Sequence, residues 1–121
     1  MKFLLIMTVN PAIWESLTEA ERDAVMTGHG PFMETIQKSG EFLGTVALAE
    51  PAKSAVVRVR DGAPVVTDGP FVESKEFLGG YYLVECVDEA RAYELAAMIP
   101  DAAVPGLGIE VRPVVFSAGP E

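Results

Sequence analysis

The sequence predicts an α+β domain of order β-α-β-β-α-β, with a β-hairpin inserted between the second and third of those strands. Three observations carry this expectation. Apolar residues alternate or run together over residues 2–9, 42–49, 77–86 and 108–116, as strands require. Two intervening segments have helix start and stop signals, and Asp61-Gly62 separates two short valine-rich runs in the manner of a hairpin turn.

The elements follow in order. Lys2 to Val9 reads as a strand with Phe3, Leu5, Met7 and Val9 on one face and Leu4 and Ile6 on the other, closed by Asn10-Pro11. Trp14 falls in the loop after it, where it would lid a pocket or pack on the surface. Thr18 caps the first helix and Glu21 completes a capping box; the helix runs toward Ser39 and stops at Gly40. Within it, Gly28-His29-Gly30-Pro31 loosens a turn and removes a backbone donor, which predicts a kink. Phe42 to Ala49 forms the second strand. Ala55 to Arg60 and Pro64 to Thr67 flank the Asp61-Gly62 turn.

Phe77 to Cys86 is the next long strand, with Leu78, Tyr82, Val84 and Cys86 on one face and Phe77, Tyr81 and Leu83 on the other. Asp88 caps a second helix, Glu89 to Ile99, which Pro100 ends. Gly108 to Phe116 is the last strand, and Ser117 to Glu121 is a loose tail. Without the hairpin this is the ferredoxin-like order. Two helices cover one face of such a sheet, so the second apolar face is expected to meet another subunit, giving a homodimer through the sheet.

Composition narrows the function. A chain of 121 residues, 50% hydrophobic and 22% charged, suits one folded domain. The formal net charge of −9 opposes direct nucleic-acid binding, where phosphate contacts supply most of the affinity. No apolar run approaches the ~20 residues that span a membrane. The opening run Phe3 to Met7 is cut off by Thr8-Val9-Asn10-Pro11 too early for a signal peptide, and the lone Cys86 makes no internal disulfide. A cytoplasmic protein is expected.

Residues 67–82 hold the densest motif: Asp68-Gly69-Pro70-Phe71, then Lys75-Glu76, then Gly79-Gly80-Tyr81. Asp-Gly-Pro builds a sharp turn with a carboxylate at a fixed place. Asp68 is either a carboxylate at a pocket rim or the acceptor of an Asx-turn. Gly69 and Pro70, with Gly79 and Gly80, shape the loop, and Phe71 anchors it. His29, the single histidine, lies four residues after Val25 and three before Phe32, on the inward stripe of the first helix. It is either a proton-transfer group or a core histidine with its hydrogen bonds met. Arg58 and Arg60 share one face of the hairpin, as wet-side edge residues or as a clamp for an anionic ligand. Tyr81 and Tyr82 point to opposite faces, so one of them offers a hydroxyl to a pocket between sheet and helices.

One histidine and one cysteine make no conventional histidine- or thiolate-rich metal site. Gly79-Gly80 lacks the flanking pattern of a phosphate loop. No metal or organic cofactor is expected.

The stretch from Asp68 to Tyr82 closely resembles the signature of the DGPF branch of the YCII-related family. The resemblance implies a dimeric α/β barrel. Members outside that branch carry a histidine–aspartate pair proposed as catalytic, which points to His29 and Asp68. A relative in the broader family acts on chlorinated aromatic rings, so the resemblance implies a metal-independent lyase or hydrolase or a small-molecule-binding protein. DGPF proteins are also often encoded beside, or fused to, extracytoplasmic-function sigma factors, which implies a non-catalytic module with a sigma-factor association as the alternative.

Overall fold

Strand alternation and two capped helices produce one four-stranded antiparallel sheet with helices packed on one of its faces. The computed structural model describes residues 1–69 and 76–119. Its strands are β1 (Lys2–Val9), β2 (Phe42–Ala47), β3 (Ala55–Arg60), β4 (Ala63–Asp68), β5 (Phe77–Glu85) and β6 (Ile109–Pro113). Its helices are α1 (Pro11–Ser16), α2 (Glu19–Lys38) and α3 (Glu89–Met98), with 3-10 turns at Pro51–Lys53 between β2 and β3 and at Pro100–Ala103 after α3. The main sheet has the order β2-β5-β1-β6, which is the ferredoxin-like arrangement, and β3-β4 form a separate two-stranded sheet.

The expected signals are visible in the backbone. The Thr18 hydroxyl accepts from the Glu21 amide at 3.1 Å while the Glu21 carboxylate accepts from the Thr18 amide at 2.8 Å, a closed capping box. Asp88 accepts from the Arg91 amide at 2.8 Å and opens α3. The hairpin turns through Asp61 and Gly62, both at positive φ (51° and 77°), as a two-residue type I′ turn demands.

Phe3 and Leu5 of β1, Tyr82 and Val84 of β5, Phe32 and Ile36 of α2, and Ala92 and Leu95 of α3 close the core. Each fully buried large side chain contributes roughly 1.5–3 kcal/mol of transfer free energy. A bidentate pair, with Arg91 Nε and Nη2 donating to the two Glu41 carboxylate oxygens at 2.9 Å, ties α3 to the residue before β2. The Arg91 guanidinium holds the Glu41 carboxyl below the usual carboxylate range.

Two local expectations need correction, and α2 adds an observation on Pro31. Asn10-Pro11 does not lead into a loop: the Asn10 side chain accepts from the Ile13 amide, Pro11 takes the first helical position, and Trp14 lies on α1. The helix α2 runs unbroken through Pro31. The amide that Pro31 lacks would have served Thr27, and both residues are exposed, so water can satisfy that carbonyl. Finally, Gly79 and Gly80 shape a strand rather than a loop. Met7 pairs with Gly80 and Thr8 with Leu78, so Gly79 is the extra residue of a bulge. Beyond it the alternation breaks, and Leu78 is half exposed instead of buried with Tyr82 and Val84.

Candidate functional site

The stripe that buries Val25, Phe32 and Ile36 of α2 carries His29 to the helix face above the sheet. Tyr82 comes up from β5 to meet it. The His29 ring stacks on Tyr82 with centroids 5.8 Å apart and planes 15° from parallel, while Phe32 meets the same tyrosine edge-on at 4.9 Å. His29 Nδ1 lies 2.6 Å from the Tyr82 hydroxyl and Nε2 lies 2.8 Å from Asp101 Oδ1.

Asp101 belongs to the 3-10 turn that follows α3. That turn reaches α2 because residue 28 is glycine. A Cβ built at Gly28 would stand 2.6 Å from Pro100 Cγ, inside any permitted contact. The absence of one methyl group therefore sets the distance between the helix holding His29 and the turn holding Asp101.

The network assigns the tautomer. A carboxylate only accepts hydrogen bonds, so His29 carries its proton on Nε2 and donates to Asp101. In the neutral ring, Nδ1 then accepts from the Tyr82 hydroxyl. Burial first, and the Asp101 charge second, push the Tyr82 phenol up to about 12, so it remains an O–H donor near neutral pH. With both imidazole nitrogens engaged, the open acceptor is the second Asp101 oxygen, which takes no hydrogen bond from a described residue.

His29 and Asp101 line a cleft of about 440 Å³ between the ends of the strands, α1, α2 and the loop after β2. Their side chains are 20% and 17% exposed, half-hidden at its wall. Trp14, Val25, Leu48 and Leu107 make it largely apolar, and Glu15 and Glu50 are exposed on its lining.

The other expected site residues lie elsewhere. Asp68 ends β4 opposite Ala55, is exposed, and is not among the described residues of the cleft. The carboxylate paired with His29 is that of Asp101. Arg58 and Arg60 are exposed on β3 and do not line the cleft either. Tyr81 points to the far face of the sheet, opposite Ile6 and Val46, so Tyr82 is the tyrosine that reaches the helix side. Gly69 donates its amide to the Ser54 carbonyl at 2.8 Å and lies against Ser54, closing the hairpin base. Pro70 and Phe71, with Glu73 and Lys75, lie outside the described residues.

Among the described residues no group of three or more His, Cys, Asp or Glu is placed to hold a metal ion, and no helix is long and apolar enough to cross a membrane. Burial raises the Cys86 thiol above its ordinary range, aided by the Glu41 charge.

The family model described as YCII-related domain matches residues 1–116. An uncharacterised protein of Rhizobium meliloti (strain 1021) is 34% identical over 106 residues, covering 84% of this chain and 86% of the relative.

Proposed function

The chain belongs to the YCII-related family, and from that premise we propose that it binds a small molecule in the His29–Asp101 cleft and exchanges a proton with it there. The observation that carries the proposal is the imidazole held between Tyr82 at 2.6 Å and Asp101 at 2.8 Å at the wall of the cleft. Such an arrangement fixes the ring and its tautomer, and leaves one carboxylate oxygen free toward a ligand. Asp101 is the group that meets the ligand. His29 and Tyr82 hold it in place. Asp68, which the family resemblance pairs with His29, ends β4 and is not among the described lining residues of this cleft.

Trp14 is the single tryptophan and lines the cleft, so its emission reports occupancy directly. Titrating a panel of small molecules against the full chain should give compounds that shift Trp14 emission and raise the unfolding midpoint by mass action. Asp101→Asn should weaken them at least tenfold, which is about 1.4 kcal/mol. Compounds that bind Asp101→Asn as tightly as the wild type would remove Asp101 from the proposed role.

We further propose that the protein works as a homodimer through the face of the sheet turned away from the long helices, in the barrel arrangement of the family. Leu4 and Ile6 of β1, Tyr81 and Leu83 of β5, and Val46 of β2 occupy that face, while both long helices lie on the other. Sedimentation at micromolar concentration is expected to give twice the mass of one chain, and Leu83→Lys to return it to one. A monomeric wild type at that concentration would end the dimer proposal.

A further inference from the structure

We infer that the ligand of this cleft is an organic cation, an amine on an apolar body, rather than a carboxylate or phosphate. The inference deepens the proposed function and rests on its premise that the cleft takes a small molecule. The cleft itself is the feature, about 440 Å³ and sized for a molecule of one or two rings. Three of the protein's exposed large apolar side chains, Met26, Leu48 and Leu78, line it, so a ligand with an apolar body covers surface that would otherwise stand in water.

The sign of the charge follows from the remaining lining. The charged side chains of the described lining are Asp101, Glu15 and Glu50, and neither lysine nor arginine is among them. An anion entering this apolar space would meet three carboxylates and no fixed positive charge, in a chain whose net charge is already −9. A protonated amine finds the reverse. The open oxygen of Asp101 accepts its N–H in a charge-assisted bond, and His29 donating to the other oxygen holds that carboxylate in place. Trp14 adds an aromatic surface in the same lining, which favours a cation over an anion. Arg58 and Arg60, the pair that would have clamped an anion, lie on the hairpin and outside this lining.

Three probes of one skeleton test the inference on the full chain: 2-phenylethylamine, 2-phenylethanol and 3-phenylpropionate, followed by Trp14 emission and by calorimetry. The amine should bind at least tenfold more tightly than either of the others, and added salt should narrow the gap. In Asp101→Asn the amine should lose that advantage. Glu50→Gln, an exposed change that spares the fold, should reduce it by a smaller factor. If the alcohol or the carboxylate occupies the cleft as tightly as the amine, the cation inference is overturned while the cleft remains a ligand site. If none of the three alters Trp14 emission at millimolar concentration, the inference and its premise fall together.

Discussion

Replacing Gly80 by valine is expected to cost about 3 kcal/mol of stability or more. Gly80 is buried in β5 between β1 and β2, and a Cβ there would lie 2.4 Å from the Val46 carbonyl oxygen and 3.2 Å from Ala47 Cα. Both obstacles are backbone, so no rotamer change relieves them. The strands must separate, and β5 then loses its pairing with β2 beside the bulge that sends Leu78 to the cleft. Overpacking of a core typically costs about 1–3 kcal/mol, and a backbone obstacle belongs at or above the upper end. That is a large part of the roughly 5–15 kcal/mol that holds an ordinary domain. Gly44 is the control: it sits in β2, where an added Cβ would meet nothing within 4 Å, so Gly44→Ala should stay within about 0.5 kcal/mol of the wild type. Urea unfolding of the three proteins decides the matter. A Gly80→Val midpoint near that of the wild type would mean that β2 and β5 do not pack as closely as described.

The contrast between Gly80 and His29 shows which parts of this molecule a sequence exposes. The Thr18 capping box, the Asp88 cap and the Asp61-Gly62 turn are local signals, and each appears in the structure at the residues that carry it. The inward position of His29 is legible for the same reason, since three- and four-residue spacing to Val25 and Phe32 defines one helix face. The partner of His29 is not. Asp101 lies 72 residues away in sequence and reaches the imidazole through a tertiary contact between α2 and the turn after α3. Nothing around Ile99-Pro100-Asp101 announces chemistry; it reads as the end of a helix, which it also is. Asp68 stands out because its neighbours are conspicuous, and conspicuous turn residues report backbone shape before they report a site. Gly28 reads as a helix weakener, yet α2 continues through it, and the missing side chain admits Pro100. One sequence cannot separate a glycine that loosens its own helix from one that lets a neighbour approach.

Gly28→Ala should therefore break the site without unfolding the protein. The added methyl meets the Pro100 ring, with Cγ at 2.6 Å and Cβ at 3.2 Å, and a proline ring has little freedom to turn aside. The 3-10 turn must move outward and take Asp101 from His29. Helix propensity works the other way, since alanine gains up to about 1 kcal/mol over glycine in a helix interior. The net stability change is then small, while the His29–Asp101 hydrogen bond at 2.8 Å is lost. NMR of the imidazole is the direct readout: the Nε2 proton, held by Asp101 and visible downfield in the wild type, should disappear in the variant. Binding of any cleft ligand should weaken at least tenfold. Adding Pro100→Ala removes Cγ, the ring atom that most closely obstructs the methyl, so the double variant should regain the imidazole proton. A double variant no better than Gly28→Ala would show that the glycine does not set this distance. An unchanged His29 signal in the single variant would show that the turn yields without moving Asp101. The expected pattern, loss followed by recovery, ties a helix–turn packing distance to the chemistry of the site.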